Sequence, residues 1–173
     1  SATSTVNIFV SSQPNINITS GPNTGCANLC TTFTCSSTSS LQNIVWQFSS
    51  GNSVFNVLSV PACYTVAGIH SLTVSATNQY GCLGSSTYTA EVYPKPIAQI
   101  ISSSTTACAG SSINFMGTGG NSYFWDFVGI GTSNSSNPTV VFPFNGTYNI
   151  LLFTSNTYGC SDTIAKQIQI FAK

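Results

Sequence analysis

Apolar and polar residues alternate with a period of two along much of the chain. Ile69-His70-Ser71-Leu72-Thr73-Val74-Ser75-Ala76 alternates strictly, and Thr147-Tyr148-Asn149-Ile150-Leu151-Leu152-Phe153 keeps the same rhythm. Side chains on a strand point to opposite faces in turn, so this period predicts half-buried β-strands. Thr, Val, Ile, Phe and Tyr dominate the runs, as residues that pack well on a pleated surface do. Clusters of Gly, Asn, Ser and Pro separate them at the spacing of a β-sandwich. No segment carries helical periodicity, and the strong helix formers Glu, Lys, Arg and Met are nearly absent. The expectation is an all-β chain.

The pattern repeats. Asn78-Gln79-Tyr80-Gly81-Cys82 matches Asn156-Thr157-Tyr158-Gly159-Cys160, and Gly68 and Gly146 stand 14 residues before those cysteines. Ile44-Val45-Trp46-Gln47-Phe48 matches Tyr123-Phe124-Trp125-Asp126-Phe127. Cys26-Ala27-Asn28 matches Cys108-Ala109-Gly110, and Pro14 and Pro96 each precede those cysteines by 12 residues. A unit of about 80 residues is the size of one small domain. Tyr93-Pro94-Lys95-Pro96 reads as the joint, stiffened by two prolines with fixed φ. The expected organisation is an N-terminal strand and linker over residues 1–19, a first sandwich over 20–94 and a second over 95–173.

The N-terminal segment has its own message. Thr5-Val6-Asn7-Ile8-Phe9-Val10 alternates like Thr87-Tyr88-Thr89-Ala90-Glu91-Val92 and like Ala165-Lys166-Gln167-Ile168-Gln169-Ile170. Those two later runs are the last strands of the repeats. Val6, Ile8 and Val10 therefore read as an assembly strand. It finishes a preceding repeat of a longer tandem chain, completes the sheet of a neighbouring identical subunit by β-augmentation, or forms an extra edge strand on the first repeat. Ser1-Ala2-Thr3-Ser4-Thr5 has neither the basic nor the apolar region of a signal peptide, which reads as a processed chain or a segment of a longer one.

Composition narrows the chemistry. Of 173 residues only 3% are charged, with 3 Lys+Arg, 3 Asp+Glu and 1 His, and net charge is zero. Such a surface has no basic face for phosphates, which argues against nucleic-acid binding and a polybasic membrane patch. No apolar run approaches the roughly 20 residues that span a bilayer, so no membrane insertion is expected. Three scattered carboxylates and one imidazole leave little for acid–base or metal chemistry, so neither an enzyme nor a cofactor is expected. The 7 cysteines form no C-x-x-C pair. Disulfides in an oxidising compartment are the better reading, with one cysteine left over.

Trp125-Asp126-Phe127, a proline-led strand from Pro138 to Phe142, Gly146-Thr147-Tyr148, then Asn156 and Gly159, together resemble the PKD domain family. The first repeat carries a weaker version in Trp46-Gln47-Phe48, Pro61, Gly68 and Asn78. With Gly-Cys after the last turn, the repeats are similar to those of large secreted proteins of Bacteroidetes, gliding adhesins among them. The resemblance implies two tandem Ig-like/PKD-like sandwiches, with Trp46, Trp125, His70 and Tyr148 as core positions. Trp46 and Trp125 as sugar-stacking platforms are the competing reading, as is His70 acting as a base beside a thiol. Some PKD domains bind calcium, but Asp126 lacks the second acidic residue of the family motif, so no metal is expected. Asp162-Thr163-Ile164 resembles a Bacteroidetes O-glycosylation pattern. Asn17, Asn134 and Asn145 head N-glycosylation sequons.

Cys108–Cys160 is the expected pair of the second repeat, and Cys26–Cys82 its counterpart, with Cys30 as an alternative to Cys26. Cys35–Cys63 is the third expected bridge. The implied protein is a non-enzymatic, extracellular, disulfide-bearing glycoprotein: a secreted cell-surface adhesin module or filament subunit. Its partners would be neighbouring repeats, identical subunits or surface polysaccharide. The alternatives are a carbohydrate-binding accessory module of a secreted hydrolase and a stand-alone filament subunit assembled by strand exchange.

Overall fold

The computed structural model describes residues 4–173, which divide into a unit ending at Val92 and a unit beginning at Tyr93. The described elements are all strands. In the first unit they are β1 (Asn17–Ser20), β2 (Thr24–Cys26), β3 (Leu29–Ser36), β4 (Gln42–Phe48), β5 (Ser53–Phe55), β6 (Ser59–Tyr64), β7 (Gly68–Thr77) and β8 (Leu83–Tyr93). In the second they are β9 (Gln99–Ser102), β10 (Thr106–Cys108), β11 (Ser112–Thr118), β12 (Ser122–Asp126), β13 (Thr132–Ser133), β14 (Thr139–Val141), β15 (Gly146–Ser155) and β16 (Ser161–Phe171).

The first unit has a three-stranded sheet, β1-β3-β6, and a five-stranded sheet, β2-β8-β7-β4-β5. The second reproduces both, as β9-β11-β14 and β10-β16-β15-β12-β13. Each unit is therefore the same sandwich. β15 and β16 pair antiparallel from Gly146↔Ile170 to Ser155↔Ser161, while β10 runs parallel to the end of β16. The alternation seen in the sequence fills the space between sheets. Leu72, Val74 and Ala76 of β7 and Ile150 and Leu152 of β15 are buried.

Trp46 and Trp125 anchor the two cores, each fully buried. An indole buries a large apolar surface but carries an N–H that needs an acceptor. Trp46 Nε1 donates to the Val57 carbonyl and Trp125 Nε1 to the Ser135 carbonyl, both at 2.9 Å. The second core is the more aromatic: Phe115, Trp125, Phe127 and Phe142 pack on one another, with Trp125 and Phe127 stacked at 5.7 Å.

Of the three readings of the N-terminal segment, the extra edge strand on the first repeat is corrected here, and so is the reading of residues 11–19 as linker alone. Residues 4–10 form no strand, and Val6, Ile8 and Val10 are 80%, 82% and 87% exposed. Within this chain the last-strand position of each sandwich is already taken, by β8 and by β16, so the segment has no sheet to join. Residues 11–19 are more than a linker, because Ile16 and Ile18 are buried in the first core. Their alternation is short and set among Asn, Ser and Thr, which disguises it as a polar loop.

Candidate functional site

The repeated Asn-x-Tyr-Gly-Cys motif builds the same device in both units. After β7, Asn78 Oδ1 accepts the backbone N–H groups of Tyr80 (2.9 Å) and Cys82 (3.0 Å). After β15, Asn156 Oδ1 does the same for Tyr158 (3.1 Å) and Cys160 (3.0 Å). A side-chain amide that mimics a backbone acceptor closes such turns. Gly81 and Gly159 supply φ of 79° and 78°, which only glycine adopts without strain. The other end of the amide reaches outward. Asn78 Nδ2 donates to the Ser12 carbonyl at 2.8 Å and to Ser11 Oγ at 3.1 Å. Asn156 Nδ2 donates to the Pro94 carbonyl at 2.7 Å. Each sandwich thus clasps the segment that leads into it, and Ser12 and Pro94 occupy matching places. Tyr158 also stacks on Tyr93 at 4.6 Å.

The leading segment is held a second time. A Cβ on Gly84 would collide with the Pro14 carbonyl oxygen, so glycine permits that close approach. In the second unit Asp162 Oδ2 instead accepts the Ala98 N–H at 2.8 Å. Asp162 thus anchors backbone as well as standing beside Thr163. Thr163, Asn17, Asn134 and Asn145 are all exposed. The clasp asparagines were the residues sequence reasoning missed as a site; their signal was the recurrence of asparagine four positions before each Gly-Cys end.

His70 and Tyr148 occupy equivalent places. Tyr148 Oη donates to the Phe144 carbonyl four residues upstream at 2.9 Å, a tyrosine corner. His70 Nε2 lies 2.8 Å from the Val66 carbonyl, also four residues upstream. A carbonyl only accepts, so Nε2 carries the proton there. The imidazole stacks on Tyr64 at 4.5 Å. A cavity of about 420 Å3 opens beside it, lined in part by Phe48, Val54, Val60 and Cys63. Cys63 is in a disulfide, so it brings no thiol to His70. Burial raises the Tyr64 hydroxyl above its ordinary pKa, and that oxygen has no hydrogen-bond partner among the described residues.

The cysteine assignments are overturned. Cys63 bonds Cys30, with an S–S distance of 2.07 Å, and not Cys35. Register explains it: Cys30 stands opposite Cys63, whereas Cys35 lies five residues along β3, about 16 Å away, and faces the core. Parity would have revealed this, since Phe33 and Cys35 share one face and Cys30 the other. Cys35 is buried and free, and desolvation raises its thiol pKa despite a backbone hydrogen bond that lowers it. Cys82 and Cys108 are also free, so neither Cys26–Cys82 nor Cys108–Cys160 forms. Cys108 is level with Phe171 at the end of β16, while Cys160 precedes its start. An 11-residue strand puts about 35 Å between them, against the 4.4–6.8 Å Cα separation of a disulfide. Cys26 and Cys160 are themselves disulfide-bonded rather than free.

Among the described residues no three His, Cys, Asp or Glu side chains gather where they could hold a metal. Asp126 lies on β12 opposite Thr132 and Leu151. Among the exposed aromatics of the outer sheet face, Phe124 and Phe153 meet at 5.9 Å with planes tilted 49°.

Two sandwiches of one topology, each with a buried tryptophan and a corner residue ahead of its turn, define tandem Ig-like modules. Residues 93–170 match the family model of the PKD domain. No curated protein matches the chain. Among solved structures, the C-terminal 282-residue fragment of intimin aligns with a TM-score of 0.51 at 16% identity, over 92% of this chain and 64% of the fragment. Fibronectin(III)-like modules of Clostridium thermocellum CbhA align with a TM-score of 0.42 at 11% identity, covering 91% of this chain and 94% of theirs. A bacterial ice-binding adhesin of 1.5 MDa gives 0.46 at 12% identity, over 95% of this chain and 66% of that one. The chain is all-β and built of two Ig-like sandwiches, of which the second matches the PKD domain model, and none of these matches is to a catalytic family.

Proposed function

We propose that this chain is a non-enzymatic, extracellular structural and adhesive module, a stretch of tandem PKD-like sandwiches from a secreted or cell-surface protein. The observation that carries this reading is the clasp. Asn78 holds Ser12 as Asn156 holds Pro94, and Pro94 follows directly on β8, the last strand of a sandwich. By the same spacing residues 5–10 stand where the last strand of a preceding sandwich belongs. Val6, Ile8 and Val10 then match Tyr88, Ala90 and Val92, which face the first core. An identical subunit offers no vacant last-strand position, which favours a preceding sandwich over strand exchange between copies. The neutral surface, wetted by hydroxyls and amides, leaves exposed Thr163, Asn17, Asn134 and Asn145 open to glycan. A carbohydrate-binding role would rest on exposed aromatics, and the tilt of Phe124 against Phe153 gives no flat platform for a sugar ring.

The test is an extended chain, with a copy of residues 11–86 placed directly upstream of Thr5. Residues 5–10 are then expected to gain strong amide-exchange protection and the chain to unfold as three sandwiches. Unprotected amides at residues 5–10 in a chain whose added body is folded would sink the reading.

A further inference from the structure

The clasp of the first sandwich borders a cleft of about 380 Å3, enclosed by the leading segment, the β3–β4 connection and the turn after β7. Its walls include Gln13, Asn15, Thr38, Ser40, Gln79 and Tyr80, and among the described residues no charged side chain lines it. The five amide and hydroxyl side chains of that set are exposed and have no hydrogen-bond partner among the described residues. Tyr80 is exposed too, and no other ring lies on it among the described residues. Its counterpart in the second sandwich differs. Tyr158 carries the Tyr93 ring 4.6 Å away, with planes 10° apart. Ser12 and Pro94 occupy matching places, so Ser11 stands where Tyr93 stands, and Ser11 lines the cleft beside Tyr80. The chemistry around the prolines changes as well: Gln13 and Asn15 flank Pro14, whereas Lys95 and Ile97 flank Pro96. The first sandwich thus leaves open, and surrounds with amides and hydroxyls, the place that a flat ring fills in the second.

We propose that this cleft binds a neutral glycan, with one hexopyranose ring stacked on Tyr80. It gives the adhesive part of the reading above a ligand, and rests on that reading only for the extracellular setting. A pyranose with equatorial substituents has a flat face of C–H groups and a rim of hydroxyls. The flat face suits an exposed aromatic ring, in the place that Tyr93 takes on Tyr158. Tyr80 alone offers the flat platform that the tilted Phe124 and Phe153 do not. Each rim hydroxyl both donates and accepts, as do the amides of Gln13, Asn15 and Gln79 and the hydroxyls of Thr38 and Ser40. An anionic ligand would call for a cation, and no lysine lines the cleft. A wholly apolar ligand would strip water from those amides without replacing its hydrogen bonds. The volume lies within the range of small-ligand sites.

The test is a titration of the 173-residue chain with cellohexaose and with chitohexaose, followed by amide chemical shifts, with hexagalacturonate as the charged control. At least one neutral hexasaccharide is expected to shift the amides of residues 11–15, 38–40 and 79–80, with a Kd in the millimolar range. Tyr80→Ala is expected to weaken that binding by about tenfold or more, and Tyr80→Phe by no more than about twofold, since the ring carries the stack. Alanine keeps the backbone N–H that Asn78 holds, so the turn survives the substitution. Ser11→Tyr imitates the second sandwich and is expected to abolish binding by covering Tyr80. Neither hexasaccharide moving those amides overturns the site. Binding that survives Tyr80→Ala or Ser11→Tyr overturns it too, as does hexagalacturonate binding as tightly. In the extended chain with its added body folded, binding retained beside protected residues 5–10 supports the site and the tandem reading together. Binding lost there while residues 5–10 are protected means that the preceding sandwich covers Tyr80, which overturns the site and leaves the tandem reading standing. Binding retained with residues 5–10 unprotected sinks the tandem reading alone.

Discussion

The two sandwiches share a topology and differ in what holds them together. On the three-stranded sheet the first unit joins β3 to β6 through Cys30–Cys63, an exposed pair facing each other in register. The second places Ser112 opposite Val141 at the matching position of β11 and β14. Its core is richer: Phe127 is buried where Phe48 is half-buried, and Phe142 replaces Tyr64, whose hydroxyl is buried without a partner. A domain of about 80 residues has a modest core and needs either better packing or a covalent bridge. Between β3 and β6 the first unit uses a bridge, where β11 and β14 of the second rely on aromatic packing beneath them.

The comparison breaks most sharply at the tryptophans. Trp125→Ala is expected to cost the second sandwich about 3–5 kcal/mol, by lost burial and the cavity left behind. Urea unfolding followed by amide exchange should show that sandwich melting early while the first keeps its midpoint. Replacing Cys30 and Cys63 by serine opens a loop with a sequence separation of 33 residues and is expected to cost the first sandwich about 3 kcal/mol. The second sandwich should keep its midpoint under those two substitutions, which leave its own residues unchanged. Ser112→Cys with Val141→Cys should move the second sandwich the other way.

Asn78→Ala is expected to cost about 2–3 kcal/mol, because it strips the Tyr80 and Cys82 N–H groups of their acceptor and frees Ser12. Amide exchange should rise over residues 11–14 before the core responds. Smaller effects of opposite sign come from two hydroxyls. Tyr64→Phe removes a buried, unpartnered oxygen and should stabilise the first sandwich by about 1 kcal/mol. Tyr148→Phe removes the donor to the Phe144 carbonyl and should destabilise the second by a similar amount. The smallest effect is alkaline. Burial raises both Cys35 and Tyr64, so their contribution is fully present below the unfolded pKa values of 9.0 and 10.0. It is lost as pH rises from there through the folded values, because the unfolded chain releases those protons first. The first sandwich should weaken above pH 9, and Cys35→Val with Tyr64→Phe should flatten that slope.

Strand periodicity, the repeat and the inward tryptophans were all legible in the chain, because each is a local property. A period of two places alternate residues on one face whatever else the protein does. Asn-x-Tyr-Gly-Cys likewise announced a turn, since its glycine and asparagine act within five residues. The cysteine pairing was not legible from spacing. One cysteine near each end of a repeat looks like a pair, but strands run the length of a sandwich and hold those residues about 35 Å apart. Register between β3 and β6 placed Cys30 opposite Cys63, and register belongs to two strands at once. The clasp is similar: Asn78 and Ser12 are far apart in the chain, and folding alone brings a side-chain amide to a distant carbonyl. Residues 5–10 are the reverse case. Their alternation marks them as a strand, yet a strand exists only where a neighbouring edge supplies hydrogen bonds, and in this chain β8 and β16 already fill those places.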